Sequence, residues 1–178
     1  YWMAFQLLTG NIDTQSRNMY LYSPTNSDTF YLLDWDNDGM LMRKEYEIRR
    51  RSEGQSWENG VSNYWGNILF RRCLQTKSFR TALGKAVKDE YKYMSADRIN
   101  SMVRRYRSIV EPYVRKMPDS MHEPLTSSQY DTVANQLHSE IEQNYQTYQT
   151  GFNKPMPFYI GTPTPTNGKL KLSWDVSY

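Results

Sequence analysis

Acidic and amide side chains recur at two stations in this chain: Asp13 and Asn18 within Gly10-Asn11-Ile12-Asp13-Thr14-Gln15-Ser16-Arg17-Asn18, then Asp34-Trp35-Asp36-Asn37-Asp38-Gly39. Clustered oxygen donors of this kind suit a hard divalent cation. Two carboxylates about 4 Å apart repel by about 1 kcal/mol in water and about 4 kcal/mol at an effective dielectric near 20. Three aspartates in one turn are therefore splayed into solvent, partly protonated, or neutralised by a cation. Gly39 favours a sharp turn that draws them together, so cation binding is the reading preferred over a solvated acidic turn.

The stations need an element that brings them into one place, and the intervening residues supply it. Met19-Tyr20-Leu21-Tyr22 and Thr29-Phe30-Tyr31-Leu32-Leu33 flank Ser23-Pro24-Thr25-Asn26-Ser27-Asp28, which predicts a β-hairpin. A hairpin returns the chain to its origin, so Asp13, Asn18 and Asp36 are expected to converge at its open end.

Two cation chemistries remain open. Asp34 to Glu45 fits the calcium-loop pattern D-x-[DN]-x-[DN]-G-x5-E. Against it, the incoming segment reads as a strand, no second loop pairs with it, and Met42 stands where a polar ligand is usual. Asp13 and Asn18, for their part, have the D-x-x-x-x-N spacing of a protein-kinase catalytic loop, with a hairpin and a metal-binding Asp following in the same order. There the Asp takes the acceptor hydroxyl's proton and the Asn holds a metal ion, since phosphoryl transfer depends on electrostatic stabilisation. D-x-x-x-x-N alone is a weak signal, and an Asp after a helix is also a common turn-capping residue.

The 178 residues suffice for one sizeable core. Hydrophobic residues make up 38% and aromatics 15%, with a mean hydropathy of -0.82, and no segment approaches the ~18 apolar residues of a membrane span. A net charge of +3 is too small to argue for nucleic acid. Arg43, Lys44, Arg49, Arg50 and Arg51, and again Arg104, Arg105 and Arg107, read first as solvated helix faces, the first group with a phosphate-facing role as its alternative. Cys73 lies in an apolar-periodic stretch and is expected as a buried structural thiol.

Tyr1 to Leu8 is apolar nearly all round, as in a buried helix, with Gly10 as its C-cap. Arg43 to Ser52 reads as a charged helix and Glu53 to Asn63 as an exposed loop. Four apolar stripes follow, all expected in the core. They are Trp65, Ile68, Leu69 and Leu74; Phe79, Leu83, Ala86, Val87 and Tyr91; Ile99, Met102, Val103, Tyr106, Ile109, Val110 and Tyr113; and Tyr130, Val133, Leu137, Ile141, Tyr145 and Tyr148. Pro112 should kink the third helix, Pro118 and Pro124 should stop it, and Thr126 to Ser128 should cap the fourth. The expected organisation is an α+β domain over 1–150, mostly helical with one hairpin at the site. A Pro-rich linker over 151–168 and a half-buried strand over 169–178 follow. That strand is similar to the opening of a fibronectin-type or immunoglobulin-like module and has no sheet of its own. Lacking an initiator Met, the chain reads as an internal fragment.

On Gly10-Asn11-Ile12-Asp13, Arg17-Asn18-Met19-Tyr20-Leu21-Tyr22 and Leu33-Asp34-Trp35-Asp36-Asn37-Asp38, with Asn67-Ile68-Leu69-Phe70 and Ser78-Phe79-Arg80 downstream, the chain resembles the C-terminal part of the spore-coat CotH family of atypical protein kinases. The resemblance implies a kinase-like C-lobe that uses Mg²⁺ and ATP to phosphorylate Ser residues of coat or other secreted proteins. It makes Asp13 the catalytic base, Asn18 a metal ligand, Asp36 the residue that holds Mg²⁺ against the nucleotide phosphates, and Asp38 a second-sphere or second metal ligand. The nine glycines include no G-x-G pair and no upstream lobe carries a lysine, so the isolated chain is expected to be inactive. A calcium-stabilised extracellular scaffold is the alternative, and a pseudokinase a third possibility.

Overall fold

The computed structural model describes residues 1–51, 59–122, 125–156, 158 and 160–174. Helices dominate, as the apolar periodicities require: α1 (Trp2–Thr9), α2 (Arg43–Ile48), α3 (Val61–Trp65), α4 (Ile68–Gln75), α5 (Lys77–Tyr93), α6 (Ala96–Val114) and α7 (Ser127–Phe152). Strands β1 (Tyr20–Tyr22) and β2 (Tyr31–Leu33) pair antiparallel with Tyr20 opposite Leu33, and β3 (Thr164–Thr166) pairs with β4 (Lys169–Lys171). The fold is mostly helical α+β, as expected.

Helix α1 is the centre of the core. Its apolar faces bury Met3, Ala4, Leu7 and Leu8 in one cluster with Val61, Tyr64 and Trp65 of α3, Leu83 and Val87 of α5, and Ile141 and Tyr148 of α7. Trp2 stacks on Phe70 at 5.7 Å, and Tyr64 meets Phe70 edge-on at 5.2 Å. Gly10 ends α1 at φ 66° and returns its N–H to the Gln6 carbonyl. The αL backbone suits glycine, and a Cβ there would stand 2.7 Å from Asn144 Nδ2.

Two polar side chains of α7 fasten the ends of the segment that carries both acidic stations. Asn144 Nδ2 donates to the Leu8 carbonyl at 3.0 Å and its Oδ1 accepts from the Arg43 guanidinium at 3.2 Å. The buried Glu140 carboxylate accepts the N–H groups of Arg43 and Lys44 at 3.1 and 2.7 Å, capping the otherwise orphaned N-terminus of α2 with a favourable charge.

Several expectations are corrected. The helix expected around Trp65 to Leu74 divides at Gly66, because the Asn67 side chain accepts the Leu69 N–H and starts α4 afresh. Ile68 and Leu69 are exposed while Phe70 and Leu74 are buried. The loop expected over Glu53 to Asn63 lies outside the described residues for 53–58, as does the stop expected at Pro124. The end of that loop is helical, with Val61 and Asn63 buried in α3. The charged helix is shorter than expected, since Arg50 takes φ 52° and Arg51 N–H turns back to the Tyr46 carbonyl. Cys73 is half-buried rather than sequestered, and burial pushes its thiol pKa up.

The largest departure is α6. It runs through Pro112 to Val114 and buries none of its 19 residues; among the described residues α7 is its main helical neighbour. The closing strand is likewise exposed, and it has a partner within the chain: Asn167 and Gly168, both at positive φ, turn β4 back on β3. An Asn-Gly pair at such a turn is the hairpin signature that alternation alone conceals.

These contacts make stability testable at two carboxylates. Glu140→Ala leaves the first N–H groups of α2 buried without acceptors and should cost about 2–3 kcal/mol, a fall of roughly 5–10 °C in a thermal melt. Half-buried Glu90 of α5 has its pKa raised from 4.5 to about 7, by burial first and with Asp34 adding to it. The native state therefore holds this proton more tightly than the unfolded chain. The resulting destabilisation is absent below the unfolded pKa and fully present above the folded one. Glu90→Gln should stabilise the protein by about 1–2 kcal/mol at pH 8, after allowance for solvent screening, and leave it unchanged near pH 4; melts at the two pH values check the sign.

Candidate functional site

Asp13 sits in the turn that follows α1, and this turn is held from below by α3 and by the Asn67 cap of α4. Asn63 Nδ2 donates to the Ile12 carbonyl at 2.9 Å and Asn67 Nδ2 to the Gln15 carbonyl at 2.7 Å. Buried Thr14 shares a 2.9 Å hydrogen bond with the Tyr64 hydroxyl, whose pKa burial pushes well above the ordinary phenol range. The turn from Ile12 to Gln15 is thus tied at three points to side chains of the helical scaffold.

The acidic turn is fixed from the side of α1. Gln6, polar in an otherwise apolar helix, donates to Asn37 Oδ1 at 3.0 Å and to Asp34 Oδ1 at 3.4 Å. Asn11 Nδ2 donates to the same Asn37 oxygen at 3.3 Å. Leu41 N–H reaches the Thr9 carbonyl at 2.8 Å. These bonds make residues 10–41 a closed excursion from the end of α1, with β1 and β2 as its arm.

Asp13 and Asn18 meet directly, since Asn18 Nδ2 donates to Asp13 Oδ2 at 3.0 Å. Arg17 Nε lies 3.8 Å from the same oxygen. Across from them, Asp36 and Asp38 stand exposed at a short 3-10 turn, Asn37–Gly39. The Asp38 carboxylate raises the Asp36 pKa most, followed by burial and the Asp13 carboxylate, while Arg17 opposes them. Asp13, Asn18, Asp36 and Asp38 therefore gather at the open end of the hairpin. Asn18 and Asp36 both adopt φ 54°, a left-handed conformation that Asn and Asp tolerate at some cost and that concentrates at functional turns.

Among the described residues, no three His, Cys, Asp or Glu side chains are packed closely enough to hold a metal ion by themselves. The donor set nonetheless fits a cation. Asp13 Oδ1 and Asn11 Oδ1 are buried acceptors without a hydrogen-bond partner, both near Gly39, where a Cβ would stand 3.8 and 3.3 Å away. Buried acceptors left in this state call for a cation or an ordered water. Asn18, Asp36 and Asp38 are the further side chains that could complete such a site. Glu45, the last position of the calcium-type pattern, is engaged elsewhere in an ion pair with Arg49 at 2.7 Å. Asp34 accepts from Gln6. In the first basic group, Arg43 bonds Asn144, Lys44 bonds Glu47 and Arg49 bonds Glu45.

Gln6, Asn37, Asn63, Asn67, Glu140 and Asn144 escaped the sequence reading. Gln6 and Asn144 did carry a signal, as polar residues on otherwise apolar helical faces. Asn67 carried another, as an N-cap residue ahead of an apolar run, while Asn37, Asn63 and Glu140 act through partners distant in sequence.

The electrostatics yield a pH prediction. Asp36 should titrate above the usual carboxylate range, and Asp38→Asn should bring it down. Carboxyl-carbon NMR titration measures this; an unchanged Asp36 pKa in the Asp38→Asn protein would contradict the coupling.

A family model described as CotH kinase protein matches residues 1–148. No curated protein and no solved structure matches the chain. The matched stretch is the N-terminal part of this chain and shows membership of the family. Kinase-type chemistry at the family level implies ATP, a divalent metal and a protein substrate, and among the described residues no helix is long and apolar enough to cross a membrane. With 148 of its 178 residues matched, the chain belongs to the CotH kinase family.

Proposed function

We propose that residues 10–41 form the phosphoryl-transfer station of a Mg-ATP-dependent protein kinase that modifies Ser hydroxyls on secreted or spore-coat proteins. The observation that carries this reading is the Asp13–Asn18 hydrogen bond set beside the Asp36–Asp38 pair. Asp13 accepts the acceptor hydroxyl's proton. The bond from Asn18 orients Asp13 and spends only the amide nitrogen, leaving the Asn18 carbonyl oxygen to the cation. Asp36 holds Mg²⁺ against the nucleotide phosphates and Asp38 adds a second carboxylate. The divalent ion supplies the charge stabilisation that the transferring phosphoryl group needs. Exposed Arg17, already beside Asp13, is placed to offset negative charge on the phosphates.

In this reading Asp36 and Asp38 repel each other without the ion and are relieved by it, so the site is electrostatically preloaded for a cation. Calcium is the weaker candidate, because Glu45 is committed to Arg49. Without a G-x-G pair among its nine glycines, the 178-residue chain alone lacks a glycine-rich cover for a nucleotide and is inactive by itself.

Asp13→Asn in the full-length protein that carries this chain should lower Ser phosphorylation by at least about 10³-fold while leaving the melting temperature close to wild type. Calorimetric titration of the 178-residue chain with Mg-ATP should detect no tight binding. Transfer at near-wild-type rate by the Asp13→Asn protein would refute the assignment of the base, and sub-micromolar nucleotide binding by the chain alone would refute its inactivity.

A further inference from the structure

Asp34, directly after β2, controls the direction of an oxygen that it does not touch. A carboxylate only accepts hydrogen bonds, so Gln6 faces Asp34 with its amide nitrogen, Nε2 lying 3.4 Å from Asp34 Oδ1. The same nitrogen donates to Asn37 Oδ1 at 3.0 Å, which commits Asn37 to presenting its oxygen on this side. Asn11 meets that oxygen with Nδ2 at 3.3 Å. An amide that turns its nitrogen one way turns its oxygen the other, so Asn11 Oδ1 points away from Asn37. Reversing Asn11 alone would set two carbonyl oxygens against each other. Gln6 holds its direction although its Oε1 is buried without a partner among the described residues, because the reverse would set that oxygen against Asp34.

The Asn11 oxygen borders the space over Gly39. Asn11 is 2% exposed, and neither its Oδ1 nor Asp13 Oδ1 has a hydrogen-bond partner among the described residues. A Cβ on Gly39 would stand 3.3 Å from the first oxygen and 3.8 Å from the second, so both border the volume that glycine leaves clear. The Gly39 backbone is not at positive φ; what a side chain here would remove is clearance, not a permitted conformation. Two acceptors with no donor between them, one an amide and one a carboxylate, suit a hard cation. Since the described acidic, His and Cys side chains do not make a metal site by themselves, a neutral oxygen supplies what the carboxylates do not.

We propose that Asn11 is a ligand of the divalent cation at this turn, offering Oδ1 beside Asp13 Oδ1, and that Asp34 is the positioning residue that aims it there through Gln6 and Asn37. The part played by the cation rests on the phosphoryl-transfer reading, whereas its seat rests on the amide polarity alone. Only one Asp13 oxygen is engaged, leaving Oδ2, held by Asn18, to take the acceptor proton in that reading. Asp34 acts here at a remove, unlike in a calcium-type loop, where it would itself be the first ligand.

The test measures Mn²⁺, a paramagnetic substitute for Mg²⁺, binding to the 178-residue chain by EPR, and follows side-chain carboxamide carbons by NMR as Mg²⁺ is added. The wild-type chain should bind Mn²⁺, and the Asn11 carboxamide carbon should shift with Mg²⁺. Asn11→Ala should weaken Mn²⁺ binding at least about tenfold, and Asp34→Asn and Gln6→Met about tenfold each. Gln6→Met changes no charge, so its effect separates aiming from a change in the local field, and in it the Asn11 response to Mg²⁺ should vanish. Gly39→Ala, which the backbone accepts, should weaken binding at least about tenfold without lowering the melting temperature, and it decides the matter should a buried variant fail to fold. No Mn²⁺ binding, unchanged affinity in Asn11→Ala or Gly39→Ala, or loss in Glu45→Gln with retention in Asn11→Ala would overturn the proposal. Affinity that falls in Asn11→Ala yet holds in both Asp34→Asn and Gln6→Met overturns the role given to Asp34. In the full-length protein, phosphate transfer by Asn11→Ala with an unaltered Mg²⁺ requirement sinks the present inference alone. Cation binding in the expected pattern without phosphate transfer to any protein acceptor sinks the phosphoryl-transfer reading and leaves the cation seat standing.

Discussion

Glu140 and Asn144, one turn apart on α7, set the geometry on which the candidate site depends. Asn144 holds the Leu8 carbonyl near the end of α1 and the Arg43 guanidinium, while Glu140 holds the first N–H groups of α2. Both side chains are buried, where a hydrogen bond to an otherwise orphaned helix terminus is worth more than at the surface. The two ends of the segment from Leu8 to Arg43 are therefore anchored to one rigid helix rather than to each other alone. A short, exposed hairpin is a poor platform by itself; here its position is imposed from beneath.

Above that base the site is built from conflict as much as from attraction. Asp36 takes a left-handed backbone beside Asp38 and within the field of Asp13. Asp13 and Asn11 each keep a buried oxygen without a donor. The surrounding amides of Asn37, Asn63 and Asn67 are by contrast paired. On the frame, Gln6 Oε1 is likewise buried without a partner among the described residues, although its amide nitrogen is bonded to the acidic turn. The two oxygens at the centre are both acceptors, which a cation or a hydrogen-bond donor would satisfy.

Local signals in the sequence were legible where chemistry and spacing coincide. The hairpin between the two stations, the Gly10 cap, the start of α7 at Thr126 and the convergence of Asp13, Asn18, Asp36 and Asp38 all follow from residue types within a few positions. Tertiary packing decided what remained. The stripe of α6 has the same periodicity as that of α5, yet Leu83 and Val87 are buried and Tyr106 and Ile109 are not, because periodicity identifies a face and not what lies opposite it. The break at Asn67 arose from a cap that competes with helix continuation. The partner of β4 was hidden among prolines, and Asn167-Gly168 was the overlooked cue.

The backbone bond between Leu41 and Thr9 has a consequence for how this architecture can diversify. Since the excursion is shut at its root, the outer end of the arm from Ser23 to Phe30, including Asn26 at φ 65°, connects to the carboxylates only through the paired strands β1 and β2. Changes of length at that tip therefore leave untouched both the Leu41–Thr9 closure and the bonds from Gln6 and Asn11 to Asn37.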